Sequence, residues 1–112
     1  MTTDYLQQAQ YQRASEIIQR TLRTWPVVPE YQALAGNIEL SLHQPDDAIP
    51  YFKAAIQGEP VTPWFHSGLA EAYLATNNVS LAYLESRRAA ELFPLKSAYH
   101  QRLQEIQTLL QQ

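Results

Sequence analysis

The sequence predicts an all-α fold of helical hairpins stacked side by side, and three observations lead there. The stretch Pro63 to Pro94, PWFHSGLAEAYLATNNVSLAYLESRRAAELFP, reads as two amphipathic helices either side of a break. Its landmarks recur every 34 residues: Pro26, Pro60 and Pro94; Ala14, Ala48 and Ala82; Leu6, Leu40 and Leu74; Tyr31, Phe65 and Tyr99. With 3 glycines in 112 residues and no long β-branched run, little in the backbone resists helix. One hairpin cannot bury both of its apolar faces, so each copy needs the next as its neighbour. The length suits a single domain, residues 1–112, with a modest core.

In chain order, Thr3 can cap a first helix carrying Tyr5 and Leu6, and nothing from Asp4 to Arg23 is a helix breaker. Tyr11, Ala14, Ile17, Ile18, Leu22 and Trp25 supply its apolar face. Pro29 opens the next helix, with Glu30 favourable at its positive end, and Tyr31, Leu34, Ala35, Ile38 and Leu42 form the expected buried stripe. Pro45-Asp46-Asp47 starts its partner, in which Tyr51, Phe52, Ala55 and Ile56 face inward and Gly58 supplies the end. Pro50 falls inside that helix, where a lost backbone bond costs about 3 kcal/mol and predicts a kink or a delayed start. Trp64, Phe65, Leu69, Ala72, Tyr73 and Leu74 make one face of the following helix before Asn77-Asn78 turns the chain. The partner restarts at Ser80 as N-cap, carries Leu81, Ala82, Leu84, Ala89 and Leu92, and stops at Phe93-Pro94. Ser97 is the expected cap of a last helix with Tyr99, Leu103, Ile106 and Leu110 on one side and polar residues on the other.

A helix–turn–helix unit of this period resembles the tetratricopeptide repeat. Gly36 and Ala70 fall on that family's first small position, Ala14, Ala48 and Ala82 on the second, Ala55 and Ala89 on the third, and Pro26, Pro60 and Pro94 on the closing proline. The resemblance covers nearly the whole chain without insertion. It departs at the fourth position, where Gln32, His66 and His100 replace a large aromatic, at Glu39, which stands for a tyrosine, and at Thr21, which stands for a small residue. It implies a right-handed superhelix of about two full repeats, 29–62 and 63–96, flanked by a partial repeat at 1–28 and a capping helix at 97–112. The family register also places a turn near Ala9-Gln10, so residues 3–24 are either one helix or two.

The chemistry points away from catalysis. There is no glycine-rich phosphate loop, no cysteine nucleophile among 0 cysteines, and no histidine pair at metal-binding spacing on one helix, so no enzyme, cofactor or metal is expected. His66 and His100 occupy equivalent positions and, with Glu39 or Glu105, offer a metal reading; the alternative is that they are partly buried polar residues. A net charge of −3 argues against nucleic acid, and Arg13, Arg20, Arg23, Arg87 and Arg88 read as a solvated surface on second helices. No signal pattern or membrane-length stretch is present, which makes a cytoplasmic location the default expectation and membrane insertion unexpected.

The resemblance implies instead an adaptor or scaffold whose first helices line a concave groove for a peptide or helix of a protein partner. By register the groove positions are Glu30, Ala33, Asn37 and Ser41, then Trp64, Ser67, Glu71 and Ala75, then Gln101 and Glu105. Trp64 is either the anchor for that partner or a residue packed on the preceding repeat. Asn37 is placed to hold a partner's backbone, and Glu71 and Glu105 favour a neutral to basic one. A branch of the family grips chaperone C-termini with basic residues; only Asn37 fits clearly here, with Arg102 a second candidate, so no chaperone tail is expected. The second reading is a structural segment of a larger protein, or a homodimer, that assembles through an uncovered N-terminal face at Tyr5, Leu6, Tyr11 and Ile17.

Overall fold

A computed structural model describes residues 2–112, with side chains from Tyr5 onward. Its regular structure is six helices, with no strand among the described residues: α1 (Thr2–Thr24), α2 (Pro29–Ser41), α3 (Pro45–Gly58), α4 (Pro63–Ala75), α5 (Val79–Leu92) and α6 (Ser97–Leu110). Each helix packs on the next, and α2 also touches α4, so the first helices of successive hairpins lie side by side.

The helix ends follow from proline chemistry. Pro29, Pro45 and Pro63 open α2, α3 and α4, where a missing N–H leaves no bond unmade. α1, α3 and α5 stop at Thr24, Gly58 and Leu92, just ahead of Pro26, Pro60 and Pro94, because a residue before proline is pushed out of the helical region. Within each hairpin a single left-handed residue reverses the chain: His43, with φ 60°, after α2 and Asn77, with φ 63°, after α4. The next N–H then bonds back across the turn, Gln44 to the Glu39 carbonyl at 2.9 Å and Asn78 to the Tyr73 carbonyl at 2.8 Å. The third position in this register, Ala9, does not turn. α1 is one continuous helix through Ala9-Gln10, both good helix formers.

The polar residues at the fourth position share one task. Gln32 Nε2 donates to the Pro26 carbonyl at 2.7 Å; His66 Nε2 lies 2.7 Å from the Pro60 carbonyl and His100 Nε2 2.6 Å from that of Pro94. Each ties the start of a helix to the loop that feeds it.

The main core runs through α2 to α6 around Phe52, Phe65 and Ile106, all fully buried, with Ala33, Ala48, Ala55, Ala72 and Ala82 where helices approach. A second cluster joins α1 to α2 through Ile18, Ala35 and Ile38, and a third joins α5 to α6 through Ala89, Ala90 and Tyr99. Phe52 is gripped from two sides: a Cβ on Gly36 would come within 2.8 Å of its ring, and one on Gly68 within 2.5 Å of its Cζ.

Several expectations need correction. Leu34, Leu81, Leu84 and Leu110 face solvent, because the buried stripe on each helix is narrower than the run of apolar residues. Ser80 lies inside α5 and Ser97 is the first residue of α6; the N-cap positions are Asn78 and Lys96, without side-chain cap bonds. Gly58 ends α3 without a positive φ; its use is close approach, since a Cβ there would sit 2.7 Å from Pro29 Cγ. Pro50 neither delays nor breaks α3, and it lies on the exposed side. The cap expected at Thr3 lies outside the residues whose side chains are described.

In an ordinary helix Gly→Ala gains about 1 kcal/mol. At Gly68 the added methyl would meet the rigid, fully buried Phe52 ring, and overpacking costs roughly 1–3 kcal/mol. Gly68→Ala is therefore expected to lower the melting temperature, and adding Phe52→Leu should recover part of the loss. Thermal unfolding followed by circular dichroism checks both.

Candidate functional site: the cleft between α4 and α6

On α4, Trp64, Ser67 and Glu71 are spaced to share one side of the helix. α6 sets Gln101, Arg102 and Glu105 opposite the C-terminal part of that row. Between them lies a shallow cleft of about 270 Å³ lined by Ser67, Glu71, Ala98, Tyr99, Gln101, Arg102 and Glu105. Arg102 sits at its centre. Its Nε and Nη2 donate to the two oxygens of Glu71 at 2.6 and 2.5 Å, and its Nη1 donates to Glu105 at 2.7 Å. The Glu71 carboxylate, helped by Glu105, raises the Arg102 pKa further above its usual value against the cost of partial burial. The guanidinium is thus spoken for on both sides, and two carboxylates against one cation leave the cleft with one excess negative charge.

Four of the residues expected to form a groove, Ser67, Glu71, Gln101 and Glu105, therefore meet in one place. Trp64 stands outside that cleft on the same helix, 36% exposed, with its ring edge-on to Phe65 at 4.8 Å. Its aromatic contact is a residue of its own helix. Glu30 and Asn37 are exposed on α2, away from the cleft. Ala33 does not face a groove: it is fully buried in the main core, where α2 is crowded by its neighbours. On α1, Tyr5, Leu6 and Ile17 are exposed, while Tyr11 is half-buried beside Gln7, Gln8, Ser41 and His43. The five arginines expected on a solvated surface are exposed, and Arg87 faces Glu91 at 4.0 Å.

The histidines are not brought to a common point with Glu39 or Glu105. His66 is buried, 6% exposed, with Nδ1 2.7 Å from Glu85 Oε1 and Nε2 on the Pro60 carbonyl. His100 is exposed on the Pro94 carbonyl, Glu105 is taken by Arg102, and Glu39 is buried on α2 next to Ser15 of α1. Among the described residues no three such side chains converge as metal ligands, and no helix is long and apolar enough to cross a membrane. The sequence reading missed the Glu85 partner of His66 and the pairing of Arg102 with Glu71. Glu85 shares a helical hairpin with His66, but nothing in its spacing marks it.

Both ring nitrogens of His66 face acceptors, an arrangement that only the doubly protonated imidazolium fully satisfies. Burial alone would lower its pKa; the bonds to Glu85 and Pro60, together with the Glu85 charge, outweigh that and the opposing charge of Arg88, and raise it. With the folded pKa above the unfolded one, the stabilisation is fully present below about pH 6.5 and is lost as pH rises through the folded value. The stability difference between wild type and His66→Gln should accordingly shrink from mildly acidic to mildly alkaline pH. Denaturant titration at a series of pH values measures it, and a pH-independent difference would contradict the imidazolium.

Known proteins share this architecture. Two family models described as tetratricopeptide repeat match residues 3–60 and 39–111. No curated protein matches the chain. Among solved structures, the first TPR of Spaghetti (RPAP3) bound to the HSP90 peptide SRMEEVD superposes with a TM-score of 0.89 at 18% identity, over 98% of this chain and 87% of that one. MamA from Desulfovibrio magneticus RS-1 gives 0.86 at 22% identity, over 92% of this chain and 58% of that one. The Yersinia enterocolitica type III secretion chaperone SycD, in complex with a peptide of the translocator YopD, gives 0.76 at 18% identity, over 98% and 86%. At these identities the likeness is one of fold.

Proposed function

The chain belongs to the tetratricopeptide repeat family, and from that premise we propose that it is a non-catalytic protein-interaction module holding a peptide or helical segment of a partner protein along its first helices. Two neighbours of the same fold carry a peptide, one from HSP90 and one from a translocator, which supports peptide capture as the use of the face. The observation that carries the reading for this chain is the α4–α6 cleft, an open polar site with Ser67 and Gln101 free to bond a backbone and with its only arginine already engaged.

Charge then selects the partner. An acidic tail such as SRMEEVD would meet two carboxylates and a neutralised guanidinium, which is unfavourable. A neutral to basic segment places a lysine or arginine against Glu105, the more exposed of the two acids, without disturbing the Glu71–Arg102 pair. Trp64, next along the same side of α4, is the proposed anchor, and Glu30 and Asn37 extend the path onto α2.

Fluorescence anisotropy with labelled peptides tests this. A lysine-bearing peptide selected from a library should lose roughly tenfold in affinity with Trp64→Ala and about fivefold with Glu105→Gln, and should weaken as salt rises. SRMEEVD should not bind. Equal affinity for acidic and basic peptides would remove the charge argument, an unchanged affinity for Trp64→Ala would remove the anchor, and a library that yields no binder would overturn the reading.

A further inference from the structure

The repeat register leaves part of α1 without a place to pack. Tyr5 is the register mate of Tyr73, and Leu6 of Leu40 and Leu74. Tyr73 is 7% exposed and both leucines lie against the main core, whereas Tyr5 is 83% and Leu6 66% exposed. The other half of α1 has the opposite deficiency. Ala48 and Ala82 are fully buried under the first helices of their hairpins, but their mate Ala14 is only half-buried, and Ile17, nearby on the same helix, is 59% exposed. Among the described residues, one helix thus holds a first-helix segment with nothing beneath it and a second-helix segment that packs on α2 but has no first helix of its own hairpin over it.

They cannot meet within one straight helix. Leu6 and Ala14 are separated by about 12 Å along the axis of α1. Folding back would need a left-handed residue at Ala9, where the other hairpins have His43 and Asn77; for alanine this conformation costs about 1–2 kcal/mol, and Ala9-Gln10 favour helix in addition.

We propose that two copies of this chain satisfy both segments by exchange: the N-terminal turns of α1 from one copy pack along the Tyr11–Ile18 stretch of the other's α1, and the reverse. Two antiparallel α1 helices crossing on a twofold axis near Ala9 achieve this, and the small Ala9 and Ala14 allow close approach. The interface is self-complementary and closed, as a twofold dimer requires. Leu6 then stands to the partner's Ala14 as Leu74 stands to Ala82, which share one buried cluster here. The hinge held open as helix is the condition that favours exchange over intrachain closure.

Light scattering over a wide concentration series should give twice the mass of one chain, with Trp64→Ala unchanged, so that failure here and failure of the groove reading are distinguishable. Replacing the hinge by Ala9→Asn with Gln10→Asn, the residues at Asn77-Asn78, should return the mass to that of one chain with helix content retained. Because the chain has 0 cysteines, chains carrying Leu6→Cys mixed with chains carrying Ala14→Cys should oxidise to a disulfide between unlike chains, while either alone should not cross-link. A single-chain mass at every concentration, a hinge variant that remains dimeric, or Leu6→Cys chains that cross-link among themselves as readily as in the mixture would each overturn the exchange.

Discussion

The ring of Phe52 lies between Gly36 of α2 and Gly68 of α4, nearer to both backbones than any residue bearing a Cβ would permit. This one side chain fixes the spacing of three helices. It sets how closely the first helices of successive hairpins approach, and their meeting side by side is what makes a shared face. Alanine does the same work elsewhere: Ala33, Ala48, Ala55, Ala72 and Ala82 are fully buried at helix crossings, so close approach rather than bulk holds this core together. A chain of this size has few layers, and the loss of one close contact is felt throughout.

Polar groups complete what the apolar core begins. The donors at Gln32, His66 and His100 close on carbonyls of Pro26, Pro60 and Pro94 that lie past the ends of helices and would otherwise depend on solvent. At His66 the tie is buried and extends to Glu85, linking loop, α4 and α5 through one ring. Arg102 plays the corresponding part at the far end of the face, where it joins α6 to α4 through Glu71. The residues that tie the helices together therefore also set the charge of the surface they build.

Most of the architecture was legible because it repeats. Prolines and alanines at a fixed interval give helix ends and crossings without any knowledge of contacts, and the left-handed Asn77 is visible as an Asn-Asn break. Its counterpart His43 is not, since histidine carries no turn signal of comparable strength. Amphipathic patterning overstated burial: Leu34, Leu81 and Leu84 look like core by spacing but project from helices packed on other sides. Four of the seven residues lining the α4–α6 cleft, Ser67, Glu71, Gln101 and Glu105, stand at positions that the repeat register marks, whereas the capture of Arg102 depends on the distance between two helices, which spacing within one helix does not contain. Whether α1 bends was likewise undecided by sequence, because every residue around Ala9 is compatible with helix.

The bonds to the proline carbonyls recur with the repeat and would survive loss of a whole unit, since excising residues 27–60 would leave His66 the same six residues beyond Pro26 that it now lies beyond Pro60. The glycine cradle would not survive it. Gly36 would be gone, and Gly68 would face Ile18, the residue one period before Phe52, with a void where the ring had been. Units that look exchangeable in sequence are thus keyed to their order, and this lineage can shorten only if the junction is repacked at the same time.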